Sequence, residues 1–78
     1  METAEIEARL ALLYVNAGRI APARELLKHA VGVLERQKGD AYLLALETLV
    51  VAEEISGRHD DAARLRRKLE SLQPAQVQ

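Results

Sequence analysis

Two stretches of this chain repeat each other. Asn16-Ala17-Gly18-Arg19-Ile20-Ala21-Pro22-Ala23-Arg24 and Ile55-Ser56-Gly57-Arg58-His59-Asp60-Asp61-Ala62-Ala63 align at an offset of 39 residues. Each reads as the end of one helix, a Gly-Arg turn, and a second helix with alanine in its first turns. Repetition at this period is the mark of stacked helical units, each too small to bury its own apolar face. The chain is therefore constrained to helix–turn–helix, twice.

The apolar spacing supplies the four helices. Between Thr3 and Asn16, the residues Ile6, Leu10, Leu13, Tyr14 and Ala17 recur at three- and four-residue steps, which predicts one buried face. Thr3 is the expected cap, and Gly18 follows where a left-handed C-terminal residue is needed. A second helix is expected from Ala21-Pro22, because proline suits a first helical turn. Its stripe is Ala23, Leu26, Leu27, Ala30, Val31 and Leu34, with Gly32 expected at a close helix contact, and its end falls around Lys38-Gly39. Asp40 is expected to cap a third helix running to about Ser56, with Leu43, Leu46, Leu49, Val50 and Ile55 inward and Leu44 and Val51 widening that side. The fourth starts at His59-Asp60-Asp61, with acids at the positive end of its dipole. It continues through Ala62, Leu65, Leu69 and Leu72 to a stop at Pro74. No strand pattern competes. The expectation is an all-α fold of two stacked antiparallel hairpins: a single domain over 1–74 (repeat one about 5–38, repeat two about 40–74) and a flexible tail over 75–78.

In detail, this pattern resembles the tetratricopeptide repeat family. Leu10, Ala11, Tyr14, Gly18, Ala23, Leu27 and Ala30 stand at that family's spacing in the first repeat. The second fits at Leu49, Gly57, Ala62 and Pro74, and departs at Val50, Glu53, Arg66 and Leu69, as a terminal repeat often does. The long period is similar to the extended repeats of kinesin light chain and of large bacterial regulators. What the resemblance implies is protein binding along a groove lined by each repeat's first helix. In this numbering the groove would comprise Arg9, Leu12, Val15, Asn16, Leu44, Glu47, Thr48, Val51 and Ile55, with Glu5 and Ala8 beside them.

Composition narrows the alternatives. Alanine and leucine make up about two-thirds of the apolar residues, there is no Phe, Trp or Cys, and the aromatics are Tyr14 and Tyr42. Small alanines let helix axes approach closely. Without cysteine there is neither a disulfide nor a thiolate metal site. Lys plus Arg (11) nearly balances Asp plus Glu (12), which argues against nucleic acid or anionic membrane as a general partner. No apolar run reaches the roughly 20 residues of a membrane span. The acidic start lacks the order of a signal peptide, so a cytoplasmic protein is expected.

Chemistry-bearing residues do not converge. His29 and His59 lie on different helices without a ligand at metal-site spacing. Glu53-Glu54 and Asp60-Asp61 are adjacent, and neighbours on a helix diverge by about 100°. They read as a solvated face and as helix N-terminal acids. No catalytic residue, cofactor or metal is expected. Arg64, Arg66, Arg67 and Lys68 form the one basic cluster, a possible charged contact, with Asp60 placed to pair with Arg64 at i, i+4.

Two functional readings follow. In the first, the chain is a non-catalytic interaction module whose apolar groove takes an amphipathic helix of another protein or a second copy, making it a homo-oligomer. Leu12, Val15, Leu44, Val51 and Ile55 carry that reading, and they equally suit the ordinary core of a four-helix bundle. In the second, a regulatory or nucleic-acid-associated protein works through the basic fourth helix. The net charge favours the first.

Overall fold

The computed structural model describes residues 3–37 and 39–72. The expected stop at Pro74 and the tail over 75–78 lie outside them, as does Lys38. Four helices are present: α1 (Thr3–Asn16), α2 (Ile20–Leu34), α3 (Asp40–Ile55) and α4 (His59–Leu72). The first pair and the second pair form antiparallel hairpins. α1 packs on α2 and α3, α2 on α3, and α3 on α4. The result is a slab of 36 × 33 × 18 Å, with α1 and α3 in one layer and α2 and α4 in the other.

Both hairpins turn by the same device. Gly18 and Gly57 take φ of 80° and 84°, a left-handed conformation that costs an L residue about 1–2 kcal/mol. The Gly18 N–H donates to the Val15 carbonyl at 3.0 Å and the Arg19 N–H to that of Tyr14 at 2.8 Å. Gly57 and Arg58 repeat these bonds onto Glu54 and Glu53 at 3.0 and 2.8 Å. This is the double bond pattern of a Schellman cap. Gly32 behaves differently from the expectation. It lies inside α2 at the surface, with nothing within 4 Å of where a Cβ would stand. Gly18→Ala should therefore lower stability by about 1 kcal/mol, and Gly32→Ala should raise it by about 1 kcal/mol, as read from urea midpoints.

The largest departure from the sequence expectation is in α1. Its buried residues are Ala4, Ala8 and Ala11, whereas Ile6, Leu10 and Leu13 are exposed, Leu13 to 63%. Tyr14 is only partly buried and Ala17 is exposed. α1 is apolar on two sides, and it turns the smaller side inward because it must nest against both α2 and α3. Alanine permits that approach; leucine would hold the axes apart. The core is then completed by Ala23, Leu27, Ala30 and Leu34 of α2 and by Tyr42, Ala45, Leu46, Leu49 and Ala52 of α3. Leu65, Leu69 and Leu72 of α4 pack against it, as their spacing predicts.

Helix boundaries differ in smaller ways. Thr3 is the first described helical residue and not a cap, and α2 begins at Ile20, ahead of Pro22. It ends at Leu34, followed by a turn over Glu35–Gln37. Gly39 is the N-cap of α3, and Asp40 opens the helix as an acid at its positive end. Ile55 is exposed at the end of α3 instead of facing the core.

Candidate functional site: an apolar trough between two helices

α1 and α3 run side by side without closing on each other completely. Between them Leu12, Val15 and Asn16 of α1 and Leu44, Glu47, Thr48 and Val51 of α3 line a cavity of about 280 Å³. Leu12 is 38% exposed and Val51 45% exposed. The Thr48 hydroxyl donates back to the Leu44 carbonyl at 2.8 Å, so its polar atom is already satisfied. Beside Leu44 the surface continues into a second depression formed with Glu5, Arg9, Asp40 and Ala41. The groove residues derived from the sequence are thus brought together, Arg9 in the adjoining depression. Ile55 stands exposed one turn beyond Val51 and does not line either cavity. Ala8 is fully buried beneath the trough and contributes packing alone.

The dimensions and lining limit what this surface can hold. A small-molecule pocket usually has 300–1,000 Å³ and convergent polar groups. This one is smaller and open, with apolar walls and charge only at its margins. It suits one or two inserted side chains of a partner.

The opposite layer holds a second cleft, between α2 and α4, of about 380 Å³. Arg24, Lys28, Arg58, Arg64 and Lys68 surround a floor of Leu49, Leu65 and Glu53, with Asp61 at the rim. Its charges largely satisfy one another. Glu53 accepts from Arg24 Nε at 2.7 Å and from its Nη2 at 3.4 Å, and Arg58 Nε lies 3.8 Å away. Arg64 pairs with Asp61 at 3.2 Å and Lys68 with Glu35 at 3.4 Å. The bond to Glu53 holds the Arg24 guanidinium above its ordinary pKa. The buried Tyr42 hydroxyl makes no hydrogen bond of normal geometry among the described residues. It nevertheless lies near enough to Lys68 to hold that ammonium above its ordinary value, with Glu35 adding to the effect.

Three sequence expectations about charge are corrected here. Glu53 is not on a solvated face; it is buried, 3% exposed, because Arg24 reaches across from α2 to meet it. Arg64 pairs with Asp61, three residues before it, and not with Asp60. The basic cluster of α4 is divided: Arg64 and Lys68 line the cleft, whereas Arg66 bonds to Glu54 on the other side and Arg67 is exposed. Sequence reasoning missed Arg24 and Arg58 as partners of Glu53, although the repeat carried a signal. At the offset of 39, Glu53 and Arg58 occupy the places of Tyr14 and Arg19, where the Arg19 guanidinium lies 5.7 Å from the centre of the Tyr14 ring.

The histidines carry no constellation. His29 meets Glu7 of α1 at 2.7 Å on the surface, and His59 is exposed at the start of α4. Among the described residues no cluster of three or more His, Cys, Asp or Glu is placed to hold a metal ion. No helix among them is long and apolar enough to cross a membrane.

The fold thus defines an all-α protein built of two stacked antiparallel helical hairpins with an open apolar trough on one layer. Compared with protein families, with curated proteins and with solved structures, the chain matches none.

Proposed function

We propose that the protein is a non-catalytic interaction module that receives an amphipathic helix of a partner protein in the trough between α1 and α3. The observation that carries this reading is the exposure of Leu12 and Val51 in one apolar trough that no part of the described fold covers. Helix-in-groove recognition reads apolar anchors at i, i+3 or i+4, and i+7, and the mixed charges Glu5, Arg9, Asp40 and Glu47 at the margins set orientation. The repeated Schellman turns and the 39-residue period support a tetratricopeptide-like origin for this layout.

The test is selection of helical peptides from a display library against the full chain. Selected peptides should share large apolar residues at helical spacing. Leu12→Glu and Val51→Glu should each weaken them by about 2 kcal/mol or more, roughly 30-fold, with the helical circular dichroism unchanged. Selection that yields no such peptides, or peptides that bind both variants as tightly as the parent, would overturn the proposal.

A further inference from the structure

The cleft between α2 and α4 gathers more cations than nearby carboxylates neutralise. Five cationic side chains line it, and two acids, Glu53 and Asp61, oppose them. Glu53 is shared between Arg24 at 2.7 Å and Arg58 at 3.8 Å. Asp61 is taken by Arg64 at 3.2 Å. Lys68 finds its acid outside the lining, in Glu35 at 3.4 Å. Lys28 makes no ion pair among the described residues. Five cations against three carboxylates leave an excess of two positive charges, in a chain whose net charge is −1.

The fold concentrates that excess in one concave space. Arg24 and Lys28 stand one turn apart on α2, and Arg64 and Lys68 one turn apart on α4, about 6 Å along each axis. The two pairs belong to opposite walls of a cleft of about 380 Å³, with Leu49 and Leu65 between them. A cleft of one charge sign with low-dielectric walls focuses its field on whatever enters. The buried Tyr42 hydroxyl, which makes no hydrogen bond of normal geometry among the described residues, stands beside Lys68 at one end. The volume falls within the range of small-molecule sites with convergent polar groups, unlike that of the trough in the other layer.

We infer that this cleft binds a diphosphate group, bridging α2 and α4. A lone phosphate is too short to meet cations a full helical turn apart on both walls, whereas two linked phosphates reach both turns. A carboxylate offers two oxygens in one plane; a diphosphate offers oxygens on all sides, as donors arriving from two walls require. Arginine forks and lysine ammonium groups both pair with such oxygens through charge-assisted hydrogen bonds. Glu53 and Asp61 oppose the anion. Glu53 does so from the cleft floor, 4% exposed at its side chain and held by Arg24. Asp61 stays at the rim with Arg64. Lys28, exposed and unpaired among the described residues, is the cation with most to gain.

Isothermal titration of the full chain with inorganic pyrophosphate, in low-salt buffer free of phosphate and divalent metal, tests this. One site per chain should saturate below about 1 mM, and inorganic phosphate should bind roughly 10-fold more weakly. Lys28→Gln and Arg64→Gln should each weaken pyrophosphate roughly 10-fold. Both side chains are exposed, so the helical circular dichroism should stay unchanged. Arg67→Gln makes the same charge change outside the cleft and should alter affinity less than about two-fold. A nucleoside diphosphate titrated in parallel separates the two sources of the group: equal or tighter binding identifies an esterified diphosphate, weaker binding a free one. No saturable binding, an equal loss in Arg67→Gln and Lys28→Gln, or tighter binding of an oligoglutamate peptide than of pyrophosphate would overturn the inference. Val51→Glu, which tests the trough, should leave pyrophosphate binding unchanged, so the two readings fail separately.

Discussion

Replacing Arg24 with Met is expected to lower the stability of the fold by about 3 kcal/mol, because it strands a buried carboxylate. Glu53 is 4% exposed at its side chain and Arg24 14%, so the pair sits in the interior edge of the α2/α4 cleft. With Arg24 gone, Arg58, 3.8 Å away and half-exposed, is the cation still paired with the acid among the described residues. Its charge moderates the loss without replacing a 2.7 Å bond. The double substitution Arg24→Met, Glu53→Met should regain most of that loss, since a well-packed apolar pair is often as stable as the buried ion pair it replaces. Urea titrations of the two variants and of Glu53→Met close the cycle. A loss below about 1 kcal/mol for Arg24→Met would mean that Glu53 is solvated through the cleft.

The second large effect reverses the usual ranking of alanine and leucine. Ala8 is fully buried where α1 nests into the hairpin stack, and Ala8→Leu is expected to cost about 3 kcal/mol through overpacking. Leu13→Ala should change stability by no more than about 0.5 kcal/mol, as for an ordinary surface site. A core in which the leucines of α1 were inside would give the opposite order. The comparison therefore tests the rotation of α1 directly. That rotation also decides the trough, since it places Leu12 there and leaves Leu10 and Leu13 exposed.

Much of this was legible from the residues alone. Four helices follow from apolar spacing, and the two turns follow from Gly18 and Gly57, since a left-handed residue after a helix is chemically specific. The residues from Leu12 to Val51 that the resemblance to tetratricopeptide repeats implied lie together in one trough between α1 and α3. Local chemistry suffices where one residue type has one conformational use. Periodicity, by contrast, counts apolar residues on a helix face without saying which face wins. α1 has an alanine row and a leucine row, and only the presence of two neighbouring helices selects the smaller row for the interior. Glu53 is the same lesson in electrostatics. Its sequence neighbours make it a surface acid, and Arg24, 29 residues away, makes burial tolerable. Helices and turns are short-range consequences of the sequence; which side faces inward, and which charge is buried, depends on partners that tertiary packing alone brings within reach.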